Sequence, residues 1–486
     1  MIKSDTNLVS LNLKVKHFCK IYWPLYLKIF FCLIITHLIN SNVFAQKNTI
    51  AVGAASIDIT PQFPVRLAGF AFRVKKEAEG TALPLHAKAL AFGNNFQNSA
   101  VIITADLIGI SSRIADSVKA RLTKKIQPER ITICVSHTHS GPEIGTLLNI
   151  LPYKSATEPF DENLLPVEHI AHIDLYVEEL INKLERVALQ ALAVRKPSLV
   201  SWGIGSMDFG FNRRKLVNTV DNDMPLMKVT DLQGNLKAVF LSYACHAVVL
   251  GSNSNVYHGD WVGDAQLAIE QRHPGVIALV AVGCGGDINP KKAQIADSST
   301  TIKISKEYGA KIADETDSLL ATKLKPLMEL PFINYKKINL RLQPAPALKE
   351  WSLIASKDIT VKGYYARLAL NRIARGEAMP DHVPYPIQVW KFGNGLNIIF
   401  LAGEVVTDYS LRLKKELGRD KLWVVGYSND VPCYIPSKRH LAMGGYEADA
   451  SMYYYNKPSR FIDTIEDEII STVHELVSFE NMVYKQ

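Results

Sequence analysis

The chain has 486 residues, 48% of them hydrophobic and 21% charged, a globular composition that excludes disordered and low-complexity classes and suffices for a large core. Its formal charge of +8 falls to +4 once the first 45 residues, with five Lys and one Asp, are set aside. That remainder is too small and too scattered for nucleic-acid binding.

Those 45 residues place their lysines before an apolar run, Ile29 to Ile39, and then pass through small and polar residues to Val43-Phe44-Ala45-Gln46. The pattern reads as a secretory signal cleaved near Ala45. The run is interrupted by His37 and is shorter than the ~20 residues a bilayer span needs. A secreted or periplasmic protein is expected, with residues 1–45 as signal and 46–486 as one large catalytic domain.

"SAVIITADLIGIS" (Ser99 to Ser111) reads as a buried strand and loop, "SSRIADSVKARLTKKI" as a serine-capped helix, and "RITICVSHTH" as a second strand. This order predicts an α/β fold with a mixed β-sheet core flanked by helices and the site at the C-terminal ends of its strands. "NLKAVFLSYACHAVVLG" is a strand ending at His246. "GVIALVAVGCGGDINP" ends in a glycine-rich turn. "GLNIIFLAGEVVTDYSLRLKKELG" runs a strand into Glu404 and then a helix, "LWVVGYSNDVPCYIPS" ends in Asn429 and Tyr434, and "EDEIISTVHELVSFENMV" closes the chain as an amphipathic helix. The cysteines beyond the signal, Cys134, Cys245, Cys284 and Cys433, are too few for a disulfide framework and read as small buried residues.

Five apolar strands thus each end in a polar, ligand-capable residue. A lone His or Glu after a strand is more often structural or a helix cap, but strand ends in one sheet lie side by side, so several together indicate one shared site. Imidazole, carboxylate and phenol suit zinc with a position left open for water. In His137-Thr138-His139 on an extended strand end, both imidazoles project to the same face. One can ligate the metal while the other moves a proton.

These residues resemble the neutral/alkaline non-lysosomal ceramidases, specifically their N-terminal catalytic domain. "SHTHSGP" is similar to the family's "THTHSGP", "FGFNRR" to its Asn-Arg motif, "GEVVTDYSLRLKKELG" to its Gly-Glu-Phe-Thr segment, and "NDVPCYIPS" through "GGYE" to its site-closing tyrosine region. The resemblance implies Zn2+ held by His137, His246, Glu404 and Tyr434, with His139, Arg213 and Tyr446 binding substrate or stabilising the reacting carbonyl.

Two departures stand out. The family's Gly-Asp-Val-Ser-Pro-Asn segment appears here as Gly286-Asp287-Ile288-Asn289-Pro290. Asn289 occupies the serine position, so a serine nucleophile is excluded and metal-activated water is expected. Asn289 is instead expected to orient water or the substrate carbonyl through its amide. The sequence also stops soon after its terminal helix, and the reading expects no immunoglobulin-like domain. Glu143 stands where those enzymes have glycine near the pocket.

The expected function is secreted, zinc-dependent cleavage of the amide bond of a ceramide-like N-acyl lipid, placing the protein in sphingolipid metabolism. Two alternatives remain: the same metal site acting on another amide, an ester or a glycan derivative, and a non-catalytic binding protein of the same fold. The expected partners are a small-molecule or lipid substrate and a transient membrane-surface contact, with no nucleic acid and no protein partner evident. Acyl-chain recognition is assigned to loops at Leu148 to Leu165 and Ala345 to Pro386.

Overall fold

The computed structural model describes residues 49–479 other than 71–72, 74–75, 146, 149, 151–159, 215–218 and 295–296. The expected export signal lies outside the described residues. Among the described residues, no helix is long and apolar enough to cross a membrane.

The sequence expectation of an α/β fold with a mixed sheet core flanked by helices holds, but the core contains two main sheets. Among the described residues the larger has nine strands. From edge to edge its main path runs Ile277–Val282, Leu236–Tyr243, Asp223–Thr230, Lys196–Ser206, Ile50–Asp58, His86–Phe92, Ala100–Ala105 and Ile131–Val135, and Lys325–Leu327 pairs off Lys196–Ser206. The smaller orders Phe332–Arg341, His382–Phe392, Leu396–Leu401 and Leu422–Val425. A shared apolar layer joins the two sheets. In it Phe240 stacks on Trp423 with centroids 4.6 Å apart, and the Trp423 indole donates to Ser242 Oγ at 2.7 Å.

Helices cover the opposite faces. Val167–Ala193 lies on the larger sheet and Ile465–Ser478 on the smaller. With both faces covered, strands such as Ala100–Ala105 are buried at every position, which is why they read as continuous apolar runs rather than alternating ones.

Three parallel pairs position the site. Ala100–Ala105 pairs with Ile131–Val135, Leu236–Tyr243 with Ile277–Val282, and Leu396–Leu401 with Leu422–Val425. Between the members of each pair runs a helix, respectively Ser112–Leu122, Asp260–Arg272 and Thr407–Leu417, the crossover that parallel strands require. The first begins at the predicted Ser111 cap, whose side chain accepts from the Ile114 amide.

Ile131–Val135 and Ile277–Val282 lie at opposite edges of the larger sheet, so adjacency within one sheet does not gather the strand ends. Segment 426–429 does. The Gly426 amide donates to Val282 O, the Val135 amide to Tyr427 O, the Ser428 amide to Leu401 O and the Asn429 amide to Ile133 O. Tyr427 and Asn429 hold φ of 50° and 65°, left-handed geometry that costs a non-glycine residue and needs surrounding contacts to persist.

The proposed recognition loop Ala345 to Pro386 is largely structured. It contains helices Leu348–Lys357 and Val361–Ala374 and the start of strand His382–Phe392, and the two helices pack around Trp351, Tyr364 and Tyr365. Of Leu148 to Leu165, residues 149 and 151–159 lie outside the described set.

Candidate metal centre

His137 lies two residues past its strand. The expected extended geometry is not what joins it to His139: His137 is left-handed, with φ of 55°, and that bend brings the two Nε2 atoms to 3.3 Å. The loop is knitted in place. Thr138 Oγ donates to His258 O at 2.7 Å, and the His139 amide donates to Ala247 O at 3.2 Å, tying this loop to the one carrying His246. The Trp261 indole donates to His246 O at 3.0 Å.

Each imidazole is aimed by its far nitrogen. His137 Nδ1 lies 2.6 Å from Ile108 O, and His246 Nδ1 lies 2.6 Å from Gly285 O. Carbonyls only accept, so each Nδ1 carries the proton and each Nε2 presents a lone pair. Both Nε2 atoms lie 3.0 Å from Glu404 Oε2. Glu404 reaches this point because Glu404–Val405 pairs in register with Tyr434–Ile435, and Tyr434 OH is 3.3 Å from His246 Nε2.

Two imidazole nitrogens and a carboxylate oxygen, with His137, His246 and Glu404 each at most 2% exposed, therefore converge on one point beside the Tyr434 hydroxyl. Such a set is stabilised by a cation among them, and its mix of nitrogen and oxygen donors fits zinc. Burial, then the neighbouring imidazoles, pushes His139 well down. His139 is thus neutral, and its Nδ1 is buried without a protein partner. His137, His139 and His246 keep nitrogens within 4.8 Å of one another, so this cluster can hold a metal ion.

Arg213 forms the adjoining wall. Strand Gly210–Asn212 pairs antiparallel with Ile288–Pro290, which sets Arg213 beside Asn289. Its Nε donates to Glu447 Oε1 at 2.8 Å, its Nη2 to Gly286 O at 2.9 Å and its Nη1 to Asn289 Oδ1 at 3.4 Å. A guanidinium has no acceptor, so the oxygen of the Asn289 amide must face it and the NH2 group points away as a donor. The Arg213 guanidinium sits 5.5 Å from the ring centroid of Tyr434 and 5.6 Å from that of Tyr446. Tyr446 is 43% exposed and marks the solvent side.

The eight residues named from the sequence thus fall in one contiguous set. Sequence reasoning missed four others. Tyr427 packs its ring 4.5 Å from that of His137. Glu447 is shared by Arg213 and Arg214, each Nε 2.8 Å away. Tyr455 donates to Glu404 Oε1. Asp287 accepts from Asn212 Nδ2 at 2.6 Å and from the Thr407 amide at 2.8 Å. The Gly-Asp pair within "GDINP" was the available signal for Asp287; nothing in the local pattern marks the others.

Glu143, at the position where the family has glycine, packs inward. It is buried against Arg66, Oε2 to Nε 3.2 Å, and burial, which outweighs that guanidinium, pushes its carboxyl up to about 7. The four cysteines are buried and unpaired, and burial pushes the Cys134 and Cys433 thiols up to about 12. They are poor thiolate ligands.

His440 is fully buried between two carboxylates, its Nε2 3.4 Å from Asp287 and its Nδ1 3.7 Å from Asp408. Burial lowers its pKa, but the two carboxylates outweigh burial and raise it to about 9. A raised folded-state pKa stabilises fully below the unfolded value near 6.5 and is lost as pH rises through the folded one. Stability to urea should therefore fall between about pH 6.5 and 9. His440→Asn should flatten that slope, and an unchanged slope would show that the cation is not at His440.

Two face-packed sheets, covered by helices and carrying a buried imidazole and carboxylate centre at their joined strand ends, define an α/β protein whose site could hold a metal ion. Residues 50–301 match the family described as neutral/alkaline non-lysosomal ceramidase, N-terminal, and the chain belongs to that family.

Among relatives, a neutral ceramidase of Drosophila melanogaster is 24% identical over 263 residues, 50% of this chain and 36% of that protein. Neutral ceramidase 2 of Arabidopsis thaliana is 24% identical over 266 residues, 51% of this chain and 32% of that one. The matched stretch thus spans about a third of these curated relatives. The crystal structure of neutral ceramidase from Pseudomonas aeruginosa superposes with a TM-score of 0.65 at 15% identity, covering 88% of this chain and 74% of that one. A ceramidase complexed with C2 gives 0.66 at 14%, with the same coverage. These two share the fold.

Proposed function

We propose that the protein is a zinc-dependent hydrolase that cleaves the amide bond of a ceramide-like N-acyl lipid, with residues 1–45 serving for export and 46–486 forming the hydrolase domain. The observation that carries this reading is the convergence of His137 Nε2, His246 Nε2 and Glu404 Oε2 at 3.0 Å, each imidazole fixed by a carbonyl on its far side. Family membership supports the substrate class.

In this reading His137, His246, Glu404 and Tyr434 hold zinc. When bound, zinc supplies Lewis acidity and brings the pKa of water to ~7. His139, neutral and with Nδ1 unpartnered, takes the proton from the attacking water and returns it to the leaving amine nitrogen, so that one water yields one carboxylate and one amine. In this reading Arg213, oriented by Glu447 and Gly286 O, and the Tyr446 hydroxyl stabilise the negative charge that builds on the carbonyl oxygen. On the same reading the Asn289 NH2 group is available as a further donor to water or the substrate carbonyl. Asn289 in place of serine also favours the alternative in which another amide or an ester is cut at the same centre.

The purified protein should carry about one zinc per chain, since the proposed ligands converge on a single point. His137→Ala and His246→Ala should each lose it by elemental analysis; stoichiometric metal in both would refute the ligand assignment. Activity of the metal-loaded protein against N-acyl lipids, acylated sugars and simple esters then tests the substrate class. Hydrolysis confined to sugars or esters would remove the lipid reading.

A further inference from the structure

The two oxygens of Glu404 are not equivalent. Oε2 lies 3.0 Å from both His137 Nε2 and His246 Nε2. Oε1 accepts from the Tyr455 hydroxyl, in surroundings where Tyr455 is 6% and Glu404 2% exposed. A carboxylate with two free oxygens can rotate or chelate through both; one whose Oε1 is occupied by a strong donor presents a single oxygen at a fixed angle. We propose that Tyr455 is the positioning residue of this centre, locking Glu404 as a one-oxygen ligand and thereby setting metal affinity.

The local chain shows how Tyr455 reaches Glu404. Gly444 and Gly445 turn with φ of 63° and 98°, Tyr446–Ala450 forms one π-helical turn and Ser451–Tyr454 a short helix. The Tyr455 amide, at its end, donates to Ser451 O at 3.3 Å. This one segment delivers Tyr446 and Glu447 to Arg213 and Tyr455 to Glu404, so substrate wall and metal ligand are fixed by the same turn. Its outer side is anchored by Tyr453, whose ring lies 5.4 Å from that of Tyr365.

Two phenols approach Glu404, and geometry separates their roles. Tyr434 OH lies beside His246 Nε2 at 3.3 Å, on the side where the lone pairs meet. Tyr455 OH lies on the opposite oxygen, with its ring edge-on to Tyr434 at 6.3 Å and 80°. Tyr434 is placed to ligate and Tyr455 to orient.

The inference rests on Glu404 being a metal ligand, and the zinc content of the wild-type protein tests that reading separately. Given a metal-loaded wild type, chelator competition should show zinc held about 10–100-fold more weakly by Tyr455→Phe, the range typical of lost outer-shell partners. The thermal transition of the metal-free variant should fall by no more than the loss of one buried hydrogen bond gives, because phenylalanine fills the same space. Tyr454→Phe, on the neighbouring residue, should leave affinity unchanged. In a Glu404→Asp background, whose shorter carboxylate withdraws from the phenol, adding Tyr455→Phe should weaken binding much less. Wild-type affinity in Tyr455→Phe would overturn the proposal, as would a lowered metal-free transition at unchanged affinity, which marks a merely structural tyrosine. A loss as large as that of Tyr434→Phe would overturn it too, by making Tyr455 a ligand.

Discussion

Glu404→Ala should purify with far less than one zinc per chain and show turnover at background, the largest loss expected of any single substitution in this protein. Two imidazole lone pairs face Glu404 Oε2 at 3.0 Å. Removing that oxygen leaves only the phenol of Tyr434 as an oxygen ligand and takes the negative charge out of a site less than a tenth exposed, where charge compensation matters most.

Glu404→Gln separates ligation from packing. Its amide NH2 can donate to the same lone pairs, so the metal-free variant should melt at or above the metal-free wild type. The rise in melting temperature that added zinc gives the wild type should vanish. Stoichiometric zinc in Glu404→Ala, with near-ultraviolet circular dichroism showing an intact fold, would remove the carboxylate from the ligand set.

The parts of this centre legible in the sequence are those that local chemistry dictates. Strand runs such as "ITICV" and "IALVAV" announce themselves by β-branched content, and the polar residue at each end follows directly. What brings those ends together is not local. The seam at Gly426–Asn429 acts through backbone amides and carbonyls, which every residue carries alike, so one sheet was the simpler expectation and two are found. The left-handed turn at His137 likewise has no signature in a residue that seldom adopts it. The helix pair at 348–374 was different. Tyr364 with Leu368 and Tyr365 with Ala369 are buried at helical spacing, so a period of 3.6 was there to be read. Glu447 and Tyr455 act across 234 and 51 residues of chain, and no local pattern encodes a partner that distant.

Arg213→Ala should keep its zinc and lose about 10²–10³-fold in kcat, the worth of an aligned donor at a developing oxyanion. Metal retention is expected because the guanidinium, which contacts Glu447, Gly286 O and Asn289 Oδ1, is not itself a proposed ligand and reaches the metal site only through Tyr434, by its ring face and a side-chain hydrogen bond. Arg213→Lys should recover little, since one ammonium cannot reproduce three directed N–H bonds from a planar fork.

Asn289→Ala should cost no more than Arg213→Ala, because it removes one neutral donor and leaves the cation in place. Neither wild type nor Asn289→Ser should release a burst of leaving group ahead of steady turnover, since water and not a side chain is expected to attack. The wild type offers no serine at this position, so a covalent acyl adduct trapped on it and mapped by mass spectrometry would replace water attack with a side-chain nucleophile. A loss of zinc from Arg213→Ala would instead show that the wall and the metal centre are one coupled unit, joined through the ring of Tyr434.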